Sequence, residues 1–133
     1  MKIFYADDDA EDREMFCDVI QQINPAIKVV LSKDGHEALK ILNLQTPLPD
    51  LIFLDINMPR VNGIECLIKI KSDDRLKTVP VIIYSTTADS REVKKMILLG
   101  AEGFISKVNS LGELKDSIRK VLMKDYTLLH SNK

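Results

Sequence analysis

Short apolar runs recur along this chain, each followed by a turn and then a stretch of helical period. That alternation is the mark of repeated strand–helix units feeding a mostly parallel sheet. The strand candidates are residues 2 to 6 (KIFYA), 27 to 31 (IKVVL), 50 to 54 (DLIFL), 80 to 84 (PVIIY) and 102 to 105 (EGFI). The middle three are nearly unbroken Ile, Val, Leu and Phe, the composition of strands covered on both faces. The pattern predicts an α/β fold with a five-stranded sheet and helices on both sides.

Helix starts are marked where a short acceptor side chain stands three residues ahead of a glutamate. Asp34/Glu37, Asp89/Glu92 and Ser110/Glu113 have that spacing. Asp9 is the expected cap of the first helix, with Met15, Phe16, Val19 and Ile20 turned inward. The third helix is expected to begin near Gly63 and to bury Ile64, Leu67 and Ile68. Gly100 falls where the fourth should end, at a position that favours a left-handed residue. One domain over residues 1–123 and a tail over 124–133 (KDYTLLHSNK) account for the whole sequence.

Composition narrows the function classes. A chain of 133 residues with 45% hydrophobic and 29% charged residues suits one soluble globular domain. A net charge of −1 with an acidic cluster near the start argues against nucleic acid as a partner. Cys17 and Cys66 are far apart and lack any zinc spacing, so both read as reduced, buried thiols of a cytoplasmic protein. No apolar run approaches the ~18 residues of a membrane span, and MKIFY is too short for a signal-peptide core, so no membrane association is expected.

The chemistry lies in FYADDDAED, residues 4 to 12, where Asp7, Asp8, Asp9, Glu11 and Asp12 crowd together. Ligands of open α/β sheets bind beyond the carboxyl ends of the strands. Asp7 and Asp8 follow strand 1, Asp55 ends strand 3, Ser85, Thr86 and Thr87 follow strand 4, and Lys107 ends strand 5. If strands 1, 3, 4 and 5 lie side by side, carboxylates, hydroxyls and one ammonium meet on one rim. Three carboxylates about 5 Å apart repel by roughly 3 kcal/mol per pair at an effective dielectric near 20. A divalent cation removes that penalty, and oxygen-only ligation with room for a phosphate suits Mg²⁺. Asp7 and Asp8 are then metal ligands or their supports, while Glu11 and Asp12 favour the positive end of the first helix.

YADD, FLDINMP, the Gly63 that follows it, PVIIYST and GAEGFISK together resemble the receiver domains of two-component response regulators, in particular the stand-alone, CheY-like kind. The resemblance covers residues 2 to about 123. It implies strand order 2-1-3-4-5 and phosphoryl transfer from a phosphohistidine, on a sensor histidine kinase or a histidine phosphotransfer protein, to Asp55. It implies Mg²⁺ held by Asp8, Asp55 and the backbone carbonyl of Asn57, with Asp7 supporting through water. Lys107 would pair first with Asp55 and then with a phosphoryl oxygen, to which Ser85 also donates. Ser85 and Phe104 would form the switch, and Asn57 and Thr87 would tune the lifetime of the acyl phosphate. Val108 stands where the family usually has proline, which implies a trans bond and a shifted loop after Lys107, or a strained cis one.

The implied role is signalling rather than enzymatic. Output would pass to a separate protein target, along a relay, or through a homodimer, the chain being either a monomer or a phosphorylation-dependent homodimer. Two competing readings are a haloacid-dehalogenase-type hydrolase, for which DDD contains a D-x-D, and a receiver-like adaptor that needs no phosphate. A flavodoxin-like module lacks support because aspartates would repel flavin phosphate, and a P-loop enzyme lacks its G-x-x-x-x-G-K-[ST]. His36 and His130 are expected to face solvent.

Overall fold

The computed structural model describes residues 1–86, 89–107 and 110–124. Five strands, β1 (Lys2–Ala6), β2 (Lys28–Ser32), β3 (Leu51–Leu54), β4 (Val81–Ser85) and β5 (Gly103–Ser106), alternate with five helices. The helices are α1 (Ala10–Ile23), α2 (Gly35–Leu44), α3 (Gly63–Ser72), α4 (Ser90–Leu98) and α5 (Leu111–Leu122). All strand pairs are parallel, in the order β2-β1-β3-β4-β5. Each strand lies within one residue of its expected limits.

Alternation along the strands divides the interior. Phe4, Ile52, Leu54, Ile83 and Phe104 join a core with residues of α2, α3 and α4, such as Leu42, Leu67 and Met96. Ile3, Tyr5, Phe53, Tyr84 and Ile105 point the other way, onto Phe16 and Ile20 of α1 and Leu114 and Ile118 of α5. A slip of one residue in any central strand would exchange these two sets, so the register is strongly specified. Phe16 packs between Tyr5, tilted at 4.3 Å between ring centroids, and Phe53, edge-on at 4.9 Å.

Three expectations need correction. β2 is not covered on both faces: it is an edge strand, with Lys28 exposed, Val29 and Val30 half-buried and Leu31 exposed. The order 2-1-3-4-5 that the resemblance implies is the one observed, and it puts β2 at the edge, so β1 joins β3 and β4 in the interior. On α3, Ile68 is exposed, whereas Gly63, Cys66, Leu67 and Ile70 form the inward stripe. Those four have the i, i+3, i+4, i+7 spacing of a single helix face, and Ile68 falls outside it. Cys17 is half-buried rather than buried, while Cys66 is fully enclosed, and both are free thiols.

The helix caps follow local chemistry. Asp9 accepts from the backbone N–H groups of Glu11 and Asp12, and Ser110 with Glu113 forms a complete capping box. Asn62 with Glu65 forms a second box that the sequence reading did not single out. Asp34 accepts from Glu37, whose own carboxylate reaches Lys33, and Asp89 accepts from Arg91. Gly100, at φ 113°, ends α4 as expected.

Arg60, in the loop between β3 and α3, holds φ 70°, a conformation that costs an L-residue about 1 kcal/mol and that asparagine adopts more readily. Its side chain is exposed. Arg60→Asn is therefore expected to raise stability by about 0.5 kcal/mol, read as a higher urea midpoint at unchanged slope. Among the described residues, no helix is long and apolar enough to cross a membrane.

Candidate functional site

Three backbone hydrogen bonds prolong the sheet ladder by one residue and fix the rim. Asp7 N–H donates to the Ser32 carbonyl at 3.0 Å, Asp55 N–H to Ala6 at 3.0 Å, and Lys107 N–H to Ser85 at 2.9 Å. Because Ala6 pairs with Leu54, Asp7 and Asp55 emerge from neighbouring strands. One carboxylate oxygen from each of Asp7, Asp8 and Asp55 lies within 4.8 Å of the other two. Asp7 and Asp55 are buried and Asp8 is exposed, so the cluster opens to solvent on the Asp8 side.

Lys107 reaches into this cluster with a side chain only 8% exposed. Its closest partner is Asp7 Oδ2; Asp12 Oδ2 follows at 2.8 Å and Asp55 Oδ2 at 3.5 Å, with the Tyr84 ring centroid 5.5 Å away. Burial favours the neutral amine, but hydrogen bonds to Asp12 and Asp7 and the charge of Asp55 outweigh it, holding the ammonium protonated above its ordinary range. Asp7 is restrained further by the Tyr5 hydroxyl and by the Asp9 backbone N–H at 2.9 Å. The Arg13 guanidinium donates to the Asp7 carbonyl at 2.7 Å. Burial and that contact with Asp7 push the Tyr5 phenol far upward, so it serves as a donor.

Burial first, and then the charge of Asp7, push the Asp55 carboxyl up to about 6, against the opposing pull of Lys107, the Asn57 N–H and the Ser85 hydroxyl. A carboxyl with its folded value raised above the unfolded one contributes stability that is complete below about 4 and lost as pH rises through 6. The metal-free protein is therefore expected to lose on the order of 3 kcal/mol on account of Asp55 between those limits. Urea midpoints at pH 4.5 and 7 check this, and added Mg²⁺ should recover much of the loss at pH 7.

Ser85 is fully buried beside Asp55, and among the described residues its Oγ has only that loosely aligned carboxylate to turn to. A buried, under-satisfied hydroxyl next to a carboxylate with raised proton affinity fits an oxygen-rich ligand at this spot. The donor set fits a hard divalent cation as well: three carboxylates, no nitrogen or sulfur ligand among the described residues, and excess negative charge that an ion would offset.

Of the residues singled out from sequence, Asp7, Asp8, Asp55, Ser85 and Lys107 meet on the rim. Asn57 is exposed and supplies its backbone N–H to Asp55. Phe104 is enclosed in the core at 2% exposure, in the cluster that holds Met96 and Ala101. Thr87, Val108 and the tail from 125 to 133, including His130, lie outside the described residues. His36 is exposed. The D-x-D of Asp7 and Asp9 does not converge on one ligand, because the Asp9 carboxylate caps α1.

Two members of the site escaped the sequence reading. The sequence pattern places Asp12 only at the helix end and Tyr5 only in a strand. The available signal for Asp12 was its place in the first turn of α1, since helical side chains lean back toward the N-terminus and thus over the rim.

A model of the response regulator receiver domain matches residues 3–119. Among curated relatives, the glycerol metabolism activator of Pseudomonas putida is 36% identical over 121 residues, 91% of this chain and 53% of its own length. The chain thus spans about half of that relative. The phosphorylated cyanobacterial phytochrome response regulator RcpA superposes with a TM-score of 0.82 at 30% identity, covering 95% of this chain and 93% of that one. The Mn²⁺-bound form of response regulator Rcp1 gives 0.80 at 26% identity, with 90% of each chain covered.

Proposed function

The chain belongs to the response regulator receiver domain family, and on that premise we propose that it accepts a phosphoryl group on Asp55, in a Mg²⁺-dependent reaction, and signals through altered protein contacts. The observation that carries this reading is a carboxylate with its proton affinity raised first by burial and then by Asp7, flanked by the Lys107 ammonium and by the buried hydroxyl of Ser85. Electrostatics of this kind suits a group that receives a charged phosphoryl and is then stabilised by donors already in place.

In the transfer, an oxygen of the Asp55 carboxylate attacks the phosphorus of a phosphohistidine on a sensor kinase or phosphotransfer protein. The new O–P bond forms as the N–P bond breaks, and the departing imidazole keeps the electron pair and takes a proton from solvent. Lys107 moves from its carboxylate partners Asp7 and Asp12 toward a phosphoryl oxygen, and Ser85 donates to another. Asp8, Asp55 and the Asn57 carbonyl would hold Mg²⁺, with Asp7 behind them; the ion would neutralise charge on the transferring group. Positioning and charge stabilisation suffice here, since phosphoryl transfer asks little covalent help of a protein.

The downstream partner is a separate protein or a second copy, and the site of action is the cytoplasm. Asn57 and Thr87 tune the acyl phosphate lifetime, and Ser85 with Phe104 relays its presence toward α4 and β5. The deciding experiment is incubation with acetyl phosphate and Mg²⁺ followed by intact mass: one phosphoryl group per chain supports the proposal, and an unmodified chain or sustained turnover of the phosphodonor overturns it. Asp8→Asn should weaken Mg²⁺ binding at least tenfold, measured by calorimetry, with little change in stability because Asp8 is exposed.

A further inference from the structure

We propose that Asp12 is a positioning residue that holds Lys107 back from Asp55 in the resting protein and thereby slows phosphoryl acceptance, an inference that rests on the phosphoacceptor reading above. Asp12 lies 95 residues from Lys107 in sequence, and its carboxylate meets the ammonium at 2.8 Å, against 3.5 Å for Asp55. With Asp7 as its closest partner, Lys107 has two strong acceptors that are not the reacting group.

The scaffold behind this contact is fixed at both ends. Asp12 sits in the first turn of α1, and its backbone N–H donates to the Asp9 carboxylate at 3.1 Å. Lys107 is anchored through its backbone N–H to Ser85. The main chain is thus fixed at both residues, and the position of the ammonium within reach of its side chain reflects competition among three carboxylates. A phosphoryl oxygen on Asp55 must draw Lys107 out of a charge-assisted hydrogen bond that this competition has already filled. Asp12 is 27% exposed, so the bond is partly screened and a modest effect follows, about fivefold in rate. Asp12 is not the cap of α1, a role that Asp9 fills, so removing its charge leaves the capping hydrogen bonds in place.

The test measures the rate of labelling by acetyl phosphate at saturating Mg²⁺, by intact mass, for wild type, Asp12→Asn, Asp12→Glu and Glu11→Gln. Asp12→Asn should label about five times faster, and Asp12→Glu, which keeps the charge, should stay within about twofold of wild type. Glu11 is exposed on the same turn, and none of the ion pairs at Lys107 includes it, so Glu11→Gln should leave the rate unchanged. Equal acceleration by Glu11→Gln would reduce the effect to bulk charge and overturn the proposal, as would an Asp12→Asn rate at or below wild type. A metal-free crystal structure of Asp12→Asn supplies a readout independent of labelling: Lys107 Nζ should move into hydrogen-bond distance of Asp55. Failure of every protein, wild type included, to be labelled sinks the phosphoacceptor reading; an unmoved Lys107 in the Asp12→Asn structure sinks this one.

Discussion

Asp55→Asn is expected to end phosphoryl acceptance completely: after incubation with acetyl phosphate and Mg²⁺, its intact mass should equal that of the untreated protein. An amide oxygen is a poor nucleophile and carries no charge to share with a divalent cation, so both functions of the side chain disappear while its shape stays. The same variant should be more stable than wild type at pH 7 in the absence of metal, by on the order of 2 to 3 kcal/mol. The reason is that Asp55 is ionised there although burial and Asp7 favour its protonated form. Below about pH 4 the advantage should vanish, because wild-type Asp55 is then protonated in both the folded and unfolded states. Labelling that persists in Asp55→Asn would move the acceptor elsewhere, and a variant less stable than wild type at pH 7 would refute the electrostatic account of the site.

Gly63→Ala should cost about 3 kcal/mol of stability, at the upper end of what overpacking usually costs. An added Cβ would lie 2.2 Å from the carbonyl oxygen of Asp55 and 2.7 Å from the Cα of Ile56, and backbone cannot swing aside as a flexible side chain can. Alanine is the better helix former, so intrinsic propensity alone predicts the opposite sign. The clash also falls on the acceptor, since Gly63 N–H closes the intervening loop on the Ile56 carbonyl at 2.9 Å. We expect a lower urea midpoint together with slower labelling. A variant as stable as wild type would mean that α3 can draw away from β3 without penalty.

Much of this was legible before any coordinates. Alternating strand and helix patterns located all five strands to within one residue, and Asp9, Ser110 and Gly100 acted at helix ends as their chemistry demands. Strand ends identified Asp7, Asp55, Ser85 and Lys107 because a parallel sheet delivers whatever follows each strand to one rim. The misreading of β2 has a definite cause: an apolar strand at the sheet edge and one at its centre look alike in a single sequence, and strand order alone separates them. Ile68 was misplaced for a related reason, since a run of apolar residues shows a helix but not which of its faces meets the sheet.

Which groups reach the rim follows from strand period and chain order, both properties of local pattern. How those groups share their charges follows from packing in three dimensions. Lys107 stands 100 residues from Asp7 and 95 from Asp12, and its distances to them depend on how α1 leans over the end of the sheet. Whether an ammonium rests on Asp12 or on Asp55 is a difference of less than an ångström. Coulombic competition at that scale is set by the packing of the whole domain, and no stretch of sequence encodes it alone.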